Sequence, residues 1–180
     1  MTWLTAAFAA LAASIVVAWI SPARARSWAS GCAFLAASGL VFIAGAEAIS
    51  TGGATVSLGP LSLLEPIGFT LNPLRGLFLI VTAVVFLAAT PLLARDAAQY
   101  PRHRAALFLT LVAILYAGML AFFTAADIVS FVFFWEISAL SIWGLVTFHS
   151  REARPVAAGY LTLMLSEAGT LAGMAGLFLL

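Results

Sequence analysis

The stretch from Ile128 to Phe148 reads IVSFVFFWEISALSIWGLVTF and contains a single charged residue, Glu136. About 20 helical residues cross the hydrocarbon core of a bilayer, so this stretch is long enough and apolar enough to span it. A carboxylate at that depth costs roughly 2.5–3.5 kcal/mol on insertion scales. Chains keep such a group when it has a partner, lines a water-filled cavity or carries a proton. Glu136 is therefore the leading functional candidate.

The rest of the chain is also rich in apolar residues and poor in charged ones. The 180 residues are 64% hydrophobic and 8% charged, whereas soluble domains carry about 25% charged residues. No β-barrel alternation is present, so helices are the expected spanning elements. The sequence predicts an all-α membrane protein, a single domain over residues 1–180, with helices near 2–20, 29–49, 73–93, 105–125, 127–148 and 157–180.

The arginines predict the orientation of these helices. Those in the loops after helices one, three and five number seven: Arg24, Arg26, Arg95, Arg102, Arg104, Arg151 and Arg154. Arg75 alone falls on the other side. The positive-inside rule places the arginine-rich loops in the cytoplasm and the N-terminus outside. Trp3, Trp19 and Trp28 fall near the predicted interfaces and are typical of membrane anchors.

Two local patterns predict how helices three and five begin. The outer loop near residues 50–72 has short β-prone runs between Gly and Pro, which favours a small hairpin. Asn72 and Pro73 are a typical N-cap and first residue for helix three. The turn near Thr124 to Asp127 is so short that helices four and five must be antiparallel neighbours. Asp127 fits the N-terminal end of helix five, where a carboxylate is favoured by the helix dipole.

Helical periodicity places Ser138 and Ser141 opposite Glu136, so a partner for Glu136 must come from another helix, another subunit or water. The second deep carboxylate is Glu167, near the centre of helix six. A glycine face opposite Glu167 is predicted to pack on another helix: Gly169, Gly173 and Gly176. For both carboxylates two readings remain open, a proton carrier and a structural group satisfied inside the bundle.

The remaining polar residues exclude several classes of function. His103 and His149 flank helices four and five and could deliver protons to a channel mouth, or could simply be solvated. The single cysteine, Cys32, allows no internal disulfide. No metal-ligand cluster, phosphate-binding loop, nucleophile elbow or haem motif is present, so no cofactor is expected. The net charge of +1 gives no indication of nucleic-acid binding.

The run from Asp127 to Leu140, with Trp135 and Glu136 at its centre, resembles the family of antiporter-like membrane subunits. That family includes proton-pumping subunits of respiratory complex I, large membrane subunits of formate hydrogenlyase and energy-converting hydrogenases, and multisubunit Na⁺/H⁺ antiporters. Asn72 through Tyr100 is also similar to the family's third helix, and the similarity covers roughly residues 70–180. The resemblance implies that Glu136 couples proton movement to distant redox chemistry, with Glu167, Asp127 and His149 as further proton-transfer candidates.

The chain departs from the family pattern in its number of helices and in its lysines, and these differences change the role that we expect for it. Family members usually have about fourteen helices and use buried lysines beyond helix six, and this chain has no lysine. We therefore expect this chain to be the N-terminal part of a larger or split subunit, without redox chemistry of its own. It would be a multi-pass protein of a bacterial inner membrane. Its partners would be other membrane subunits of a respiratory or hydrogenase complex. The alternatives are a subunit of a cation/proton antiporter and a purely structural membrane anchor.

Overall fold

A computed structural model of the chain describes residues 2–57, 68–148 and 153–178. The described residues form six helices and one two-stranded sheet. In chain order these elements are α1 (Thr2–Ile20), α2 (Ala23–Thr51), β1 (Ala54–Ser57), β2 (Gly68–Leu71), α3 (Pro73–Ala98), α4 (Arg102–Thr124), α5 (Ile128–Phe148) and α6 (Ala153–Phe178). Each helix coincides with one of the six predicted apolar stretches, with ends that differ by a few residues.

Five of these helices, α1 to α5, are long and apolar enough to cross a membrane. The sixth, α6, has 26 residues and contains Glu167 near its centre; it is not among the five helices that meet this criterion within the described residues. The expectation of an all-α membrane protein is thus confirmed at the level of helix content, length and composition.

The first four helices form a bundle, and the last two extend from it. In the bundle α1 packs on α2 and α4, and α3 packs on α2 and α4. Outside it, α5 packs on α4, and α6 packs chiefly on α5. The bundle therefore contains most of the buried core, including Leu11, Phe34 and Tyr116, while α5 and α6 keep large exposed apolar surfaces.

The helix pair with the most extensive contact is α2 with α3, and two facing glycines allow its backbones to approach closely. A Cβ atom placed on Gly45 would lie 2.6 Å from the carbonyl oxygen of Gly76, and one placed on Gly76 would lie 2.7 Å from the carbonyl oxygen of Gly45. No larger residue fits at either position without moving a backbone. Small residues of this kind let helices in membranes approach closely.

The predicted hairpin and helix starts are present. The strands β1 and β2 pair in antiparallel register, with Thr55 opposite Thr70, and the residues between them lie outside the described part of the chain. The side chain of Asn72 accepts a hydrogen bond from the backbone N–H of Arg75 at 2.8 Å, as expected of the α3 N-cap. The backbone N–H of Ala126 donates to the carbonyl of Gly68 at 2.8 Å, which joins the hairpin to the turn before α5.

Arginines at both ends of the bundle donate to the last carbonyls of helices. We call the end where α1 and α5 finish and α2 and α4 begin the basic end. There Arg104 donates to the carbonyl of Phe148 at 2.8 Å, at the end of α5. At the opposite end Arg75 donates to the carbonyl of Thr124 at 3.2 Å, at the end of α4. Helix C-termini have unpaired carbonyls, and guanidinium groups satisfy them well.

Candidate functional site

The central feature of the α5–α6 pair is the approach of two carboxyl groups, those of Glu136 and Glu167. They lie close enough for a hydrogen bond and for direct electrostatic interaction. An ionised carboxylate only accepts hydrogen bonds, so the contact becomes a hydrogen bond when one of the two carries a proton. Without a proton or a cation between them, two like charges at this range repel. The geometry therefore favours a site that holds a single positive charge.

Glu136 is half-buried, and its Oε1 atom is enclosed without a hydrogen-bond partner among the described residues. Glu167 is exposed on α6. No described arginine or histidine pairs with either group. In a bilayer the exposed side of Glu167 would face lipid unless another protein element covered it, and a lone carboxylate in that position is costly.

Aromatic side chains close the side of the pair toward the basic end. Trp143 lies two turns beyond Glu136 on the face of α5 that meets α6, and its ring contacts Tyr160 at 6.2 Å between centroids. The indole Nε1 of Trp143 is buried and lacks a hydrogen-bond partner among the described residues. Gly159 permits this packing, because a Cβ there would collide with Thr147 and come within 3.5 Å of the Trp143 ring.

The face of α5 opposite Glu136 fixes the helix to the bundle, as its periodicity predicts. Ser138 and Ser141 are buried there, and each hydroxyl donates to a carbonyl of its own helix, at 2.9 and 2.8 Å. Gly118 of α4 faces this surface, since a Cβ at Gly118 would lie 2.6 Å from the Ser138 hydroxyl. The antiparallel α4–α5 pair therefore holds Glu136 away from the bundle and toward α6.

Asp127 acts as the N-cap of α5 in the structure. Its Oδ1 accepts a hydrogen bond of 2.7 Å from the backbone N–H of Ser130. Burial raises the pKa of Asp127, but hydrogen bonds from the backbone and side chain of Ser130, and from the backbones of Gly68 and Val129, outweigh burial and hold the pKa below its usual value. Asp127 is thus placed to fix the start of α5, at the hairpin end of the helix. Its proton-transfer role stays a prediction.

Of the two histidines proposed as proton donors, the structure describes His103 only. His149 lies outside the described residues. The exposed ring of His103 packs edge-on against Trp19, at 5.2 Å between centroids. It therefore lies at the end of α1, within the basic end.

The glycine face of α6 was predicted to pack on another helix, and no described residue packs on it. No atom of the described residues lies within 4 Å of a Cβ built on Gly169, Gly173 or Gly176. These glycines lie opposite Glu167 on the helix, and α6 uses its other face to pack on α5. The described part of the chain therefore leaves the Gly-x-x-x-Gly face of α6 open.

One buried polar contact was not singled out by the sequence analysis. The hydroxyl of Tyr116 donates to the hydroxyl of Ser38 at 3.1 Å inside the bundle, and its ring stacks on Phe86 at 3.8 Å between centroids. A tyrosine in the middle of an apolar helix could have indicated it, because a buried phenol needs a hydrogen-bond partner. The contact joins α2, α3 and α4.

Comparison with protein-family models and with curated proteins gave no match to this chain.

Proposed function

We propose that the chain is a membrane subunit that takes part in proton translocation, within a redox-driven hydrogenase-like or complex I-like assembly. The observation that supports this proposal is the approach of Glu136 and Glu167 between two long helices. Both carboxylates lie far from the helix ends, where the arginines are. Ionisable groups at such depth are costly to keep and mark ion or proton pathways in membrane proteins.

The pair would carry a proton in a simple cycle. While no cation is near, a shared proton removes the repulsion between the two carboxylates. When a cationic group approaches, it stabilises both carboxylates in their ionised form, and the proton leaves. The described arginines are at the helix ends, so this cationic group would belong to another helix or to a companion subunit. Redox-driven movement elsewhere in the assembly would bring it close and withdraw it.

Two alternatives share the same site. Four carboxylate oxygens are also suitable ligands for a hard cation such as Na⁺, which favours a subunit of a cation/proton antiporter. In a purely structural anchor, Glu136 would be a carboxylate satisfied by its surroundings, and no proton would move through the site. The three proposals differ in what happens when the titratable charge is removed.

We therefore propose the variant Glu136→Gln, tested in the assembled native complex reconstituted into liposomes. The amide keeps the shape and hydrogen bonding of the side chain but cannot titrate, so we expect intact assembly and loss of most proton transport. The matched control is Asp96→Asn, which removes an exposed carboxylate at the basic end and should leave transport unchanged. Sodium-dependent proton movement in the wild type, lost in Glu136→Gln, would favour the antiporter.

Full proton transport by assembled Glu136→Gln would exclude the proton-carrier role. If the pair is structural, the neutral variant should be at least as stable as the wild type, because the cost of a desolvated charge disappears. Thermal unfolding of the same preparations measures this directly.

We also propose the orientation with the N-terminus outside and the basic end in the cytoplasm of a bacterial cell. The asymmetry of seven arginines against one supports it. A reporter active only outside the cytoplasm should be active when fused after Ala54 and silent when fused after Gln99. The reverse pattern would overturn the orientation.

A further inference from the structure

Three aromatic side chains form a cluster at the basic end, where α3 and α5 finish. Tyr100 follows α3, Phe108 lies in the second turn of α4, and Phe148 is the last residue of α5. The ring centroids lie 5.2 Å apart for Tyr100 and Phe148, 5.7 Å for Tyr100 and Phe108, and 5.6 Å for Phe108 and Phe148. Rings at these distances contact one another, so the cluster forms a continuous aromatic surface.

A small pocket lies against this cluster. It has a volume of about 160 Å³, and three further residues complete its lining: Asp96, Gln99 and Leu145. One water-sized group takes about 30 Å³ in a liquid, so the pocket holds about five such groups. That is the size of an ammonium head with the carbon atoms attached to it, and it is too small for a helix.

The polar part of the lining favours a cation. The carboxylate of Asp96 is exposed, and the side-chain amide of Gln99 donates to its Oδ1 at 3.4 Å, which is long for a hydrogen bond. No described arginine or histidine forms an ion pair with Asp96. Both α3 and α5 end beside the pocket, and a helix C-terminus carries a partial negative charge. A carboxylate, two helix C-termini and an aromatic surface all attract the same kind of ligand.

A guanidinium group already lies over another part of the cluster. The Cζ atom of Arg104 is 5.9 Å from the centre of the Tyr100 ring and 5.3 Å from that of Phe148. Arg104 would repel a ligand that is only a cation, whereas it would attract one that also carries an anionic group. The ligand that matches both charges is therefore a zwitterion, with its ammonium toward Asp96 and its anionic group toward Arg104.

The pocket also adjoins a surface suited to lipid. Leu92, one turn before Asp96 on the same side of α3, is 62% exposed. The pocket itself lies at the ends of helices that are long and apolar enough to cross a membrane. Tyrosine at such a position is typical of the headgroup region of a bilayer. A zwitterion held here would have apolar surface beside it for acyl chains.

We propose that this pocket binds the headgroup of a zwitterionic, ammonium-bearing phospholipid of the leaflet at the basic end. The ammonium lies between Asp96 and the aromatic cluster, the phosphate lies toward Arg104, and the acyl chains follow α3 past Leu92. The carboxylate and the rings both select an ammonium over the hydroxyls of a glycerol headgroup. The pocket is separate from the pair of deep carboxylates, so removing the charge of Asp96 changes lipid binding and not proton transport.

The test is lipid binding to the purified full chain by native mass spectrometry. The probes are phosphatidylethanolamine and phosphatidylglycerol with identical acyl chains, which both carry a phosphate but differ in the ammonium. We expect Asp96→Asn to weaken phosphatidylethanolamine about two- to fivefold, the effect of one exposed ion pair, and not to weaken phosphatidylglycerol. The control variant, Glu47→Gln, removes an exposed carboxylate near the other end of the bundle and should leave the binding of both lipids unchanged.

Three results would overturn the proposal. Unchanged binding of phosphatidylethanolamine in Asp96→Asn would show that the carboxylate does not hold the ammonium. Equal weakening of the two lipids would show a general change of the surface in place of a selective pocket. Full displacement of phosphatidylethanolamine by millimolar glycerophosphoethanolamine, which has the same headgroup without acyl chains, would identify a soluble compound as the occupant.

The aromatic side of the pocket has its own variant, Phe108→Leu. Leucine keeps an apolar side chain there but offers no ring to a cation, so we expect phosphatidylethanolamine to bind about two- to fivefold more weakly and phosphatidylglycerol to be unaffected. The control, Phe78→Leu, removes a ring that stacks on Phe123 outside the pocket and should retain both lipids. Unchanged phosphatidylethanolamine binding in Phe108→Leu would refute recognition by the rings, and a lone carboxylate would not make a site.

Discussion

The close approach of α2 and α3 makes a sharp prediction about two glycines of the same helix. A methyl group added at Gly45 would lie 2.6 Å from the carbonyl oxygen of Gly76 and 2.8 Å from Cγ1 of Ile80. A methyl group added at Gly39 would have no neighbour within 4 Å. Gly45→Ala and Gly39→Ala therefore make the same chemical change in α2, one against a neighbouring backbone and the other in open space.

The expected magnitudes follow from two opposing effects. Alanine is favoured over glycine inside a helix by about 1 kcal/mol, and this gain applies to both variants. Overpacking a tight contact costs about 1–3 kcal/mol, and this cost applies to Gly45→Ala alone. Ile80 can change its rotamer, but the carbonyl oxygen of Gly76 cannot move without the α3 backbone. We expect Gly39→Ala to be neutral or stabilised, and Gly45→Ala to be about 1–3 kcal/mol less stable than Gly39→Ala.

The assay is unfolding of the full chain in mixed micelles with increasing dodecyl sulfate, followed by tryptophan fluorescence. The difference between the two variants in free energy of unfolding isolates the packing term, because the helix-propensity term cancels. A Gly45→Ala protein as stable as Gly39→Ala would refute the argument, since it would mean that α2 and α3 do not approach at Gly45 and Gly76.

Three further predictions address other contacts. Tyr116→Phe should lower the free energy of unfolding by about 1 kcal/mol, because it removes the buried hydrogen bond to Ser38 but keeps the stacking on Phe86; a variant as stable as the wild type would contradict this. Asp127 has a lowered pKa in the folded state, so its contribution to stability is complete above about pH 4 and declines as the pH falls through that lowered value. Asp127→Asn should therefore show a shallower loss of stability in acid than the wild type, and identical pH profiles would contradict the lowered pKa of Asp127. Arg104→Gln should speed hydrogen exchange in the last turn of α5, because the bond to the carbonyl of Phe148 is lost, while Arg95→Gln should not.

Much of the fold was predictable from local sequence. Helices form wherever about 20 apolar residues follow one another, because a bilayer leaves the backbone no other way to satisfy its hydrogen bonds. The short turn before Asp127 forces α4 and α5 together. Asn72 and Asp127 cap their helices through contacts within three residues, so composition and spacing were sufficient to place them.

The same reasoning identified Glu136 and Glu167 as deep carboxylates, and periodicity placed Ser138 opposite Glu136. It did not pair the two carboxylates. A helical pattern gives the face on which a residue lies but not which helix covers that face, so the approach of α6 to α5 could not be read from it.

Only the tertiary structure determines whether residues of the same type are in close contact, buried or exposed. Gly39 and Gly45 look alike in sequence, yet one contacts a facing backbone and the other contacts nothing. The Gly-x-x-x-Gly face of α6 predicts packing, yet it is open in the described structure. Arg26 looks like an ordinary loop arginine, yet it is buried. In each case the outcome depends on distances between segments far apart in the chain, and those distances are set by how all the helices pack at once.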